Sequence, residues 1–203
     1  MSLLDQRFKE LRERLDLGRP INSYGTEPVF YLVFPPAEIL DVKARMPVWK
    51  AQLTNSGWEV AELSLGRMVH EYLERNESYA VVRDSEPMLR DGLIAADLPE
   101  HQAQLAISLQ GIVLQDGKPQ AALMRPLLEA VVTNNSRQRG LLILTDVEAL
   151  HPLLRINTIE NQLLGQVKQP IVVLYPGRRH GQTSLSFLGF YPADPNYRSE
   201  HIG

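Results

Sequence analysis

The sequence predicts an α/β protein: a mainly parallel sheet flanked by helices, with a C-terminal β-hairpin adding an antiparallel edge strand. Three observations carry this. The runs "PVFYLVF" (28–34), "GLLILTD" (140–146) and "IVVLY" (171–175) are short and largely apolar, the pattern of strands in a sheet covered on both faces. Helical periodicity separates them, which implies right-handed crossovers between parallel strands. Finally, "TSLSFLGF" (183–190) alternates, with Leu185 and Phe187 on one side and Ser184 and Ser186 on the other.

Read in order, Leu4, Phe8, Leu11 and Leu15 fall on one stripe of a first helix, and Ser2 with Asp5 forms a capping box at its start. Such a stripe either docks on its own domain or forms a partner-binding helix. After a polar turn at 22–27 comes the first strand, and Pro35 and Pro36 open the next helix where a missing N–H costs least. Pro47 predicts a kink, or two short helices, in 37–56, with Gly57 as the stop. "WEVAEL" (58–63) is the second strand. Ser64 caps a helical insertion over 64–138, broken at "DGKP" (116–119) and at Pro126. The third strand, "GLLILTD" (140–146), leads through short helical segments to the hairpin. Residues 176–182 are expected as an exposed loop in which Gly177 takes a positive φ, and "PADPNYRSEHIG" (192–203) lies over the surface.

The chain's 203 residues, 44% hydrophobic and 22% charged, fit one folded domain over 1–203. With no cysteine there is no disulfide, thiolate metal site or thiol nucleophile. The five histidines are too far apart for a short-spacing zinc motif. A net charge of −3 gives no global attraction to nucleic acid, so direct nucleic-acid binding is not expected. No apolar run spans a membrane and the charged start is no signal peptide, so the expected location is cytoplasmic.

Candidate chemistry is sparse. "PGRRHGQT" has only three residues between Gly177 and Gly181 and Gln182 where a phosphate loop needs lysine. Arg178, Arg179 and His180 are therefore a solvated turn or a partner contact. "LLILTD" has the look of a strand carrying a magnesium-binding Asp146, but "PPAEIL" after the first strand supplies no phosphate cradle, which leaves Asp146 as a helix N-cap. Arg155, in "HPLLR" with His151, caps carbonyls or meets a carboxylate. In an open sheet Asp146, Arg155 and the basic turn fall near the carboxyl edge, where ligands bind. Ser136 and Ser184 lack the surroundings of a nucleophile.

The segments "LILTDVEALHPLLRINTIENQL", "QPIVVLYPGRRHGQTSLSFLGF" and "NYR" resemble the BrxB proteins of BREX, the bacteriophage-exclusion defence systems. The pattern falls on Leu144, Thr145, Pro152, Arg155, Asn161, Pro176, Gly177, Gly181, Gly189 and Tyr197. It departs at Asp146, where relatives more often carry glycine, and at the basic "GRRH". The resemblance implies a non-catalytic component, without cofactor. Its partners would be a PglZ-like protein of the alkaline-phosphatase family and, through it, a larger assembly with a methyltransferase and an AAA+ ATPase. No catalytic residues are carried over. A degenerate NTPase-like or nucleotide-binding protein and a nucleic-acid-binding module are the alternatives.

Overall fold

The computed structural model describes residues 2–17, 28–91, 97–181, 184–189, 191–193 and 199–203. The expected turn at 22–27, and Thr183, Phe190 and Tyr197, lie outside them. In chain order the elements are α1 (Leu3–Leu17), β1 (Val29–Phe34), α2 (Ile39–Asn55), β2 (Glu59–Ser64), α3 (Leu65–Glu74), α4 (Glu77–Arg90) and α5 (Leu98–Val113). There follow β3 (Leu114–Gln115), β4 (Lys118–Pro119), α6 (Ala121–Ser136), β5 (Gly140–Thr145), α7 (Ile156–Leu163), β6 (Ile171–His180), β7 (Ser184–Phe187) and β8 (Glu200–Ile202).

The sheet order is β2-β5-β6-β1-β8, and each of these neighbours pairs parallel. Every residue of β1 and β5 is buried, as continuous apolar runs require. Alternate residues serve opposite faces. Phe30, Leu32, Phe34, Ile143 and Val172 meet α1 and α2, while Val29, Tyr31, Leu144 and Val173 meet α3, α6 and α7. The insertion thus shares one face with α7 and the segment before it, and its break at 116–119 is the tight β3–β4 hairpin, with Asp116 and Gly117 at positive φ.

The α1 stripe docks on the protein itself. Leu4, Phe8, Leu11 and Leu15 are all buried, and Phe8 stacks on Trp49 of α2 with ring centroids 4.6 Å apart. Burying such side chains contributes roughly 1.5–3 kcal/mol each. The capping box forms as expected: the Ser2 amide donates to the Asp5 carboxylate at 3.0 Å, and the Asp5 amide to Ser2 Oγ at 3.2 Å.

Four expectations are corrected. α2 and α6 each continue as one helix through Pro47 and Pro126, so neither two short helices at Pro47 nor a break at Pro126 forms, because both prolines sit on the exposed side, where an undonated carbonyl meets water. The loop expected at 176–182 is mostly strand: β6 continues to His180, and Gly177–His180 pair antiparallel with Ser184–Phe187. Gly177 is not among the positive-φ glycines; Gly181, at φ 68, makes the turn. Finally, part of the polar tail is core. Glu200–Ile202 pairs parallel with Phe30–Leu32, burying His201 and Ile202, because β1 otherwise leaves an unpaired edge.

Gly177 is required for space instead. A Cβ there would stand against the Ser186 carbonyl oxygen and within 2.6 Å of the Tyr175 ring. Gly177→Val is therefore expected to destabilise by at least about 2 kcal/mol in urea unfolding, through overpacking and loss of the β6–β7 pairing. An unchanged midpoint would refute this.

Candidate functional site

The topology creates a crevice at the carboxyl edge. After β1 the chain passes to the face covered by α1 and α2, whereas after β5 it passes to the opposite face, and β6 lies between them. Ligands bind open α/β sheets at such a switch point. Here two recesses open on opposite faces of the sheet, one lined by Leu174 and the other by Tyr175 of β6, and the β6–β7 ribbon borders the second.

The recess beside α2 has a volume of about 220 Å³ and contains Asp146. Lys43 on α2 meets Asp146 Oδ1 and Glu148 Oε1, each at 2.7 Å. Ser64 Oγ donates to Asp146 Oδ2 at 2.5 Å and Thr145 Oγ1 to the same oxygen at 3.2 Å, while Ser64 Oγ also accepts the Arg67 amide that starts α3. Burial pushes the Asp146 carboxyl up, but bonds from Lys43 and Ser64 outweigh it and hold the group below the usual carboxylate range. The same bonds, from Asp146 and then Glu148, raise Lys43. This closed network ties α2 and β2 to the end of β5 and leaves its lysine neutralised.

Asp146 is thus no side-chain N-cap. It precedes a 3₁₀ turn without making a capping bond, and its backbone is left-handed at φ 56, ψ 38. That conformation is the one glycine adopts without strain. Neither Lys43 nor Ser64 carries a local sequence signal that ties it to Asp146, which lies 82 positions from Ser64.

The second recess, about 330 Å³, lies on the α7 side and holds Arg155. The Arg155 guanidinium sits over the Tyr191 ring at 4.6 Å, neither capping carbonyls nor meeting a carboxylate among the described residues. The Tyr191 hydroxyl and His151 Nδ1 hydrogen-bond, next to the cis His151–Pro152 peptide. Burial, then Arg155, lowers the pKa of His151. Asp146 and Arg155 therefore line separate recesses.

The three basic residues of the ribbon differ in use. Arg179 donates to the carbonyls of Gly181 at 2.8 Å and His201 at 3.1 Å, so it fastens β8 to the ribbon. His180 Nε2 lies 2.9 Å from Ser186 Oγ. Arg178 is exposed, and among the described residues no ion pair includes it. The stripe Leu4, Phe8, Leu11, Leu15 offers no surface, being buried under α2 and the sheet.

The described residues contain no group of three or more side chains placed to hold a metal, and no helix long and apolar enough to cross a membrane. A family model described as BREX protein BrxB matches residues 61–202. No curated protein and no solved structure matches the chain.

The left-handed backbone at Asp146 gives a sharp contrast. Asp146→Val is expected to destabilise by about 2 kcal/mol or more, through backbone strain and the lost network. Asp146→Gly, relieved of strain, should cost less than half of that in the same denaturation series. Equal losses would show that the side-chain network alone matters.

His201 sets a pH dependence. It is buried and its pKa is pushed down to about 4, by burial first and Arg179 second. Since this lies below the unfolded value near 6.5, its contribution is complete above about pH 6.5 and is lost as pH falls towards 4, by at most roughly 3 kcal/mol. Unfolding midpoints across that window should flatten in His201→Gln relative to wild type. A parallel profile in the variant would assign the dependence to other groups.

Proposed function

The chain belongs to the BrxB family, a component of BREX defence systems, and we propose that it acts there as a non-catalytic adaptor binding the PglZ-like, alkaline-phosphatase-family protein. Through that contact it links the PglZ-like protein to the larger assembly with its methyltransferase and AAA+ ATPase. The family match over residues 61–202 carries this reading. Membership places the chain in a multi-protein system, where a folded platform with an ordered projection suits a linking role.

The geometry favours the β6–β7 ribbon over α1 as the contact. The ribbon leaves the sheet, is stiffened by antiparallel pairing and by the Arg179 bonds, and presents Arg178 to solvent. A rigid hairpin loses little conformational entropy on docking. An acidic patch on the partner would complement it.

Co-purification of the two full-length proteins at low and high salt tests the proposal. A complex is expected at micromolar concentration and should weaken with rising ionic strength, as screening shortens to about 8 Å. Arg178→Glu should weaken it about tenfold without changing the thermal midpoint. Arg179→Glu is unsuitable, since Arg179 holds the His201 carbonyl. Separate elution at every salt concentration rejects the adaptor reading.

A further inference from the structure

The recess on the α7 side of the ribbon has a composition that selects a ligand. Its volume of about 330 Å³ falls within the range of small-molecule sites. Phe187 and Tyr191 line it with partly exposed rings, backed by the fully buried Tyr175. Phe187 and Tyr191 stack with centroids 6.0 Å apart, and Tyr175 tilts against Phe187 at 5.4 Å. Mutual ring packing of this kind makes a firm wall with little side-chain freedom left to lose on binding. Leu153 and Leu185 add buried aliphatic surface.

The charge in the recess is one-sided. Arg155 lines it, and no carboxylate does among the described residues. The guanidinium lies over the Tyr191 ring at 4.6 Å, an arrangement that uses its face and leaves N–H groups on its edge to donate. Among the described residues no ion pair or hydrogen bond includes the Arg155 guanidinium, while the Arg155 carbonyl accepts from the Thr158 amide at 3.1 Å. His151, the other titratable group near it, is kept neutral at neutral pH by burial and by Arg155 itself. On the other face of the sheet, in contrast, Lys43 is neutralised by Asp146 and Glu148. One recess has its cation satisfied internally, and the other holds a positive charge beside an aromatic wall.

We propose that this recess binds a small molecule carrying a planar ring and one anionic group, with the ring against the Phe187 and Tyr191 wall that Tyr175 backs and the acid on the edge of the Arg155 guanidinium. A planar guanidinium matches a carboxylate or a phosphate through two parallel N–H bonds. Nucleoside monophosphates and aromatic carboxylates share this chemistry. The assignment is independent of the partner-binding role, because Arg178 and Arg155 belong to different surfaces of the ribbon region.

The test is titration of the full chain at neutral pH with AMP, UMP and indole-3-acetate, against adenosine, indole and inorganic phosphate, by calorimetry and ligand-observed NMR. At least one ring-bearing acid is expected to bind, about tenfold or more tighter than its neutral counterpart and than inorganic phosphate. Binding by the nucleotides alone identifies a mononucleotide site, and binding by indole-3-acetate alone an aromatic carboxylate site. Arg155 is exposed, so Arg155→Gln and Arg155→Glu should keep the wild-type melting profile while weakening the acid about tenfold and abolishing it, respectively. Absence of binding by every acid at millimolar concentration overturns the proposal. So does binding unchanged in Arg155→Gln, or inorganic phosphate binding as tightly as the ring-bearing acids.

Discussion

The structure depends on β1, β5 and the sheet-bound part of β6 having no face to give to water. Every residue of β1 and β5 is buried, as are the first seven of β6. A strand of this kind is stable only with an apolar layer on each side and with its backbone groups paired along both edges. The first requirement recruits α1 and α2 to one face and the inserted helices to the other. The second brings Glu200–Ile202 from the end of the chain to lie beside β1. What looks like a free amphipathic helix at one terminus and a polar tail at the other are therefore both parts of the enclosure.

With both faces covered, polar chemistry is confined to the strand ends. β6 is the strand that runs past the sheet edge, and its antiparallel partner β7 gives the extension backbone bonds it would otherwise lack. Gly177 sits where the change of partner occurs, close to the Ser186 carbonyl and the Tyr175 ring. The two faces of the sheet hold environments built by different logic at this end. On the α2 side, Lys43, Asp146, Glu148 and Ser64 satisfy one another, and half-exposed ion pairs of this sort act more as geometric ties than as large sources of stability. On the α7 side, a single guanidinium rests on an aromatic ring. A charge balanced by neighbours organises the fold, whereas a charge without an opposite partner is available to something from outside.

In this member of the BrxB family the buried cores and the exposed strand ends are distinct parts of the fold. The two cores hold the sheet, and the ribbon with its adjoining recess stands at the edge, where side chains differ in consequence despite adjacency. Arg179 belongs to the fold because it carries the His201 carbonyl. Arg178, one residue away on the opposite side of the strand, is open to solvent. The period of two in a strand gives neighbouring arginines different surroundings.

The sequence by itself determined the fold class, the three central strands, the Ser2–Asp5 capping box, the Ser64 cap and the absence of thiol chemistry. Each of these is written in composition or in neighbours a few residues apart. The resemblance carried by the C-terminal third also pointed to the family that the match over residues 61–202 shows. Tertiary structure decided the rest. Pro47 and Pro126 were tolerated because packing turned them outward, a fact absent from the local pattern. Ser64 and Asp146, 82 positions apart, share a hydrogen bond, and His151 and Tyr191 share another across 40. Periodicity reports which way a side chain faces within its own element, but meetings such as these depend on how strands are ordered in the sheet. That order was settled only when the apolar runs were buried together.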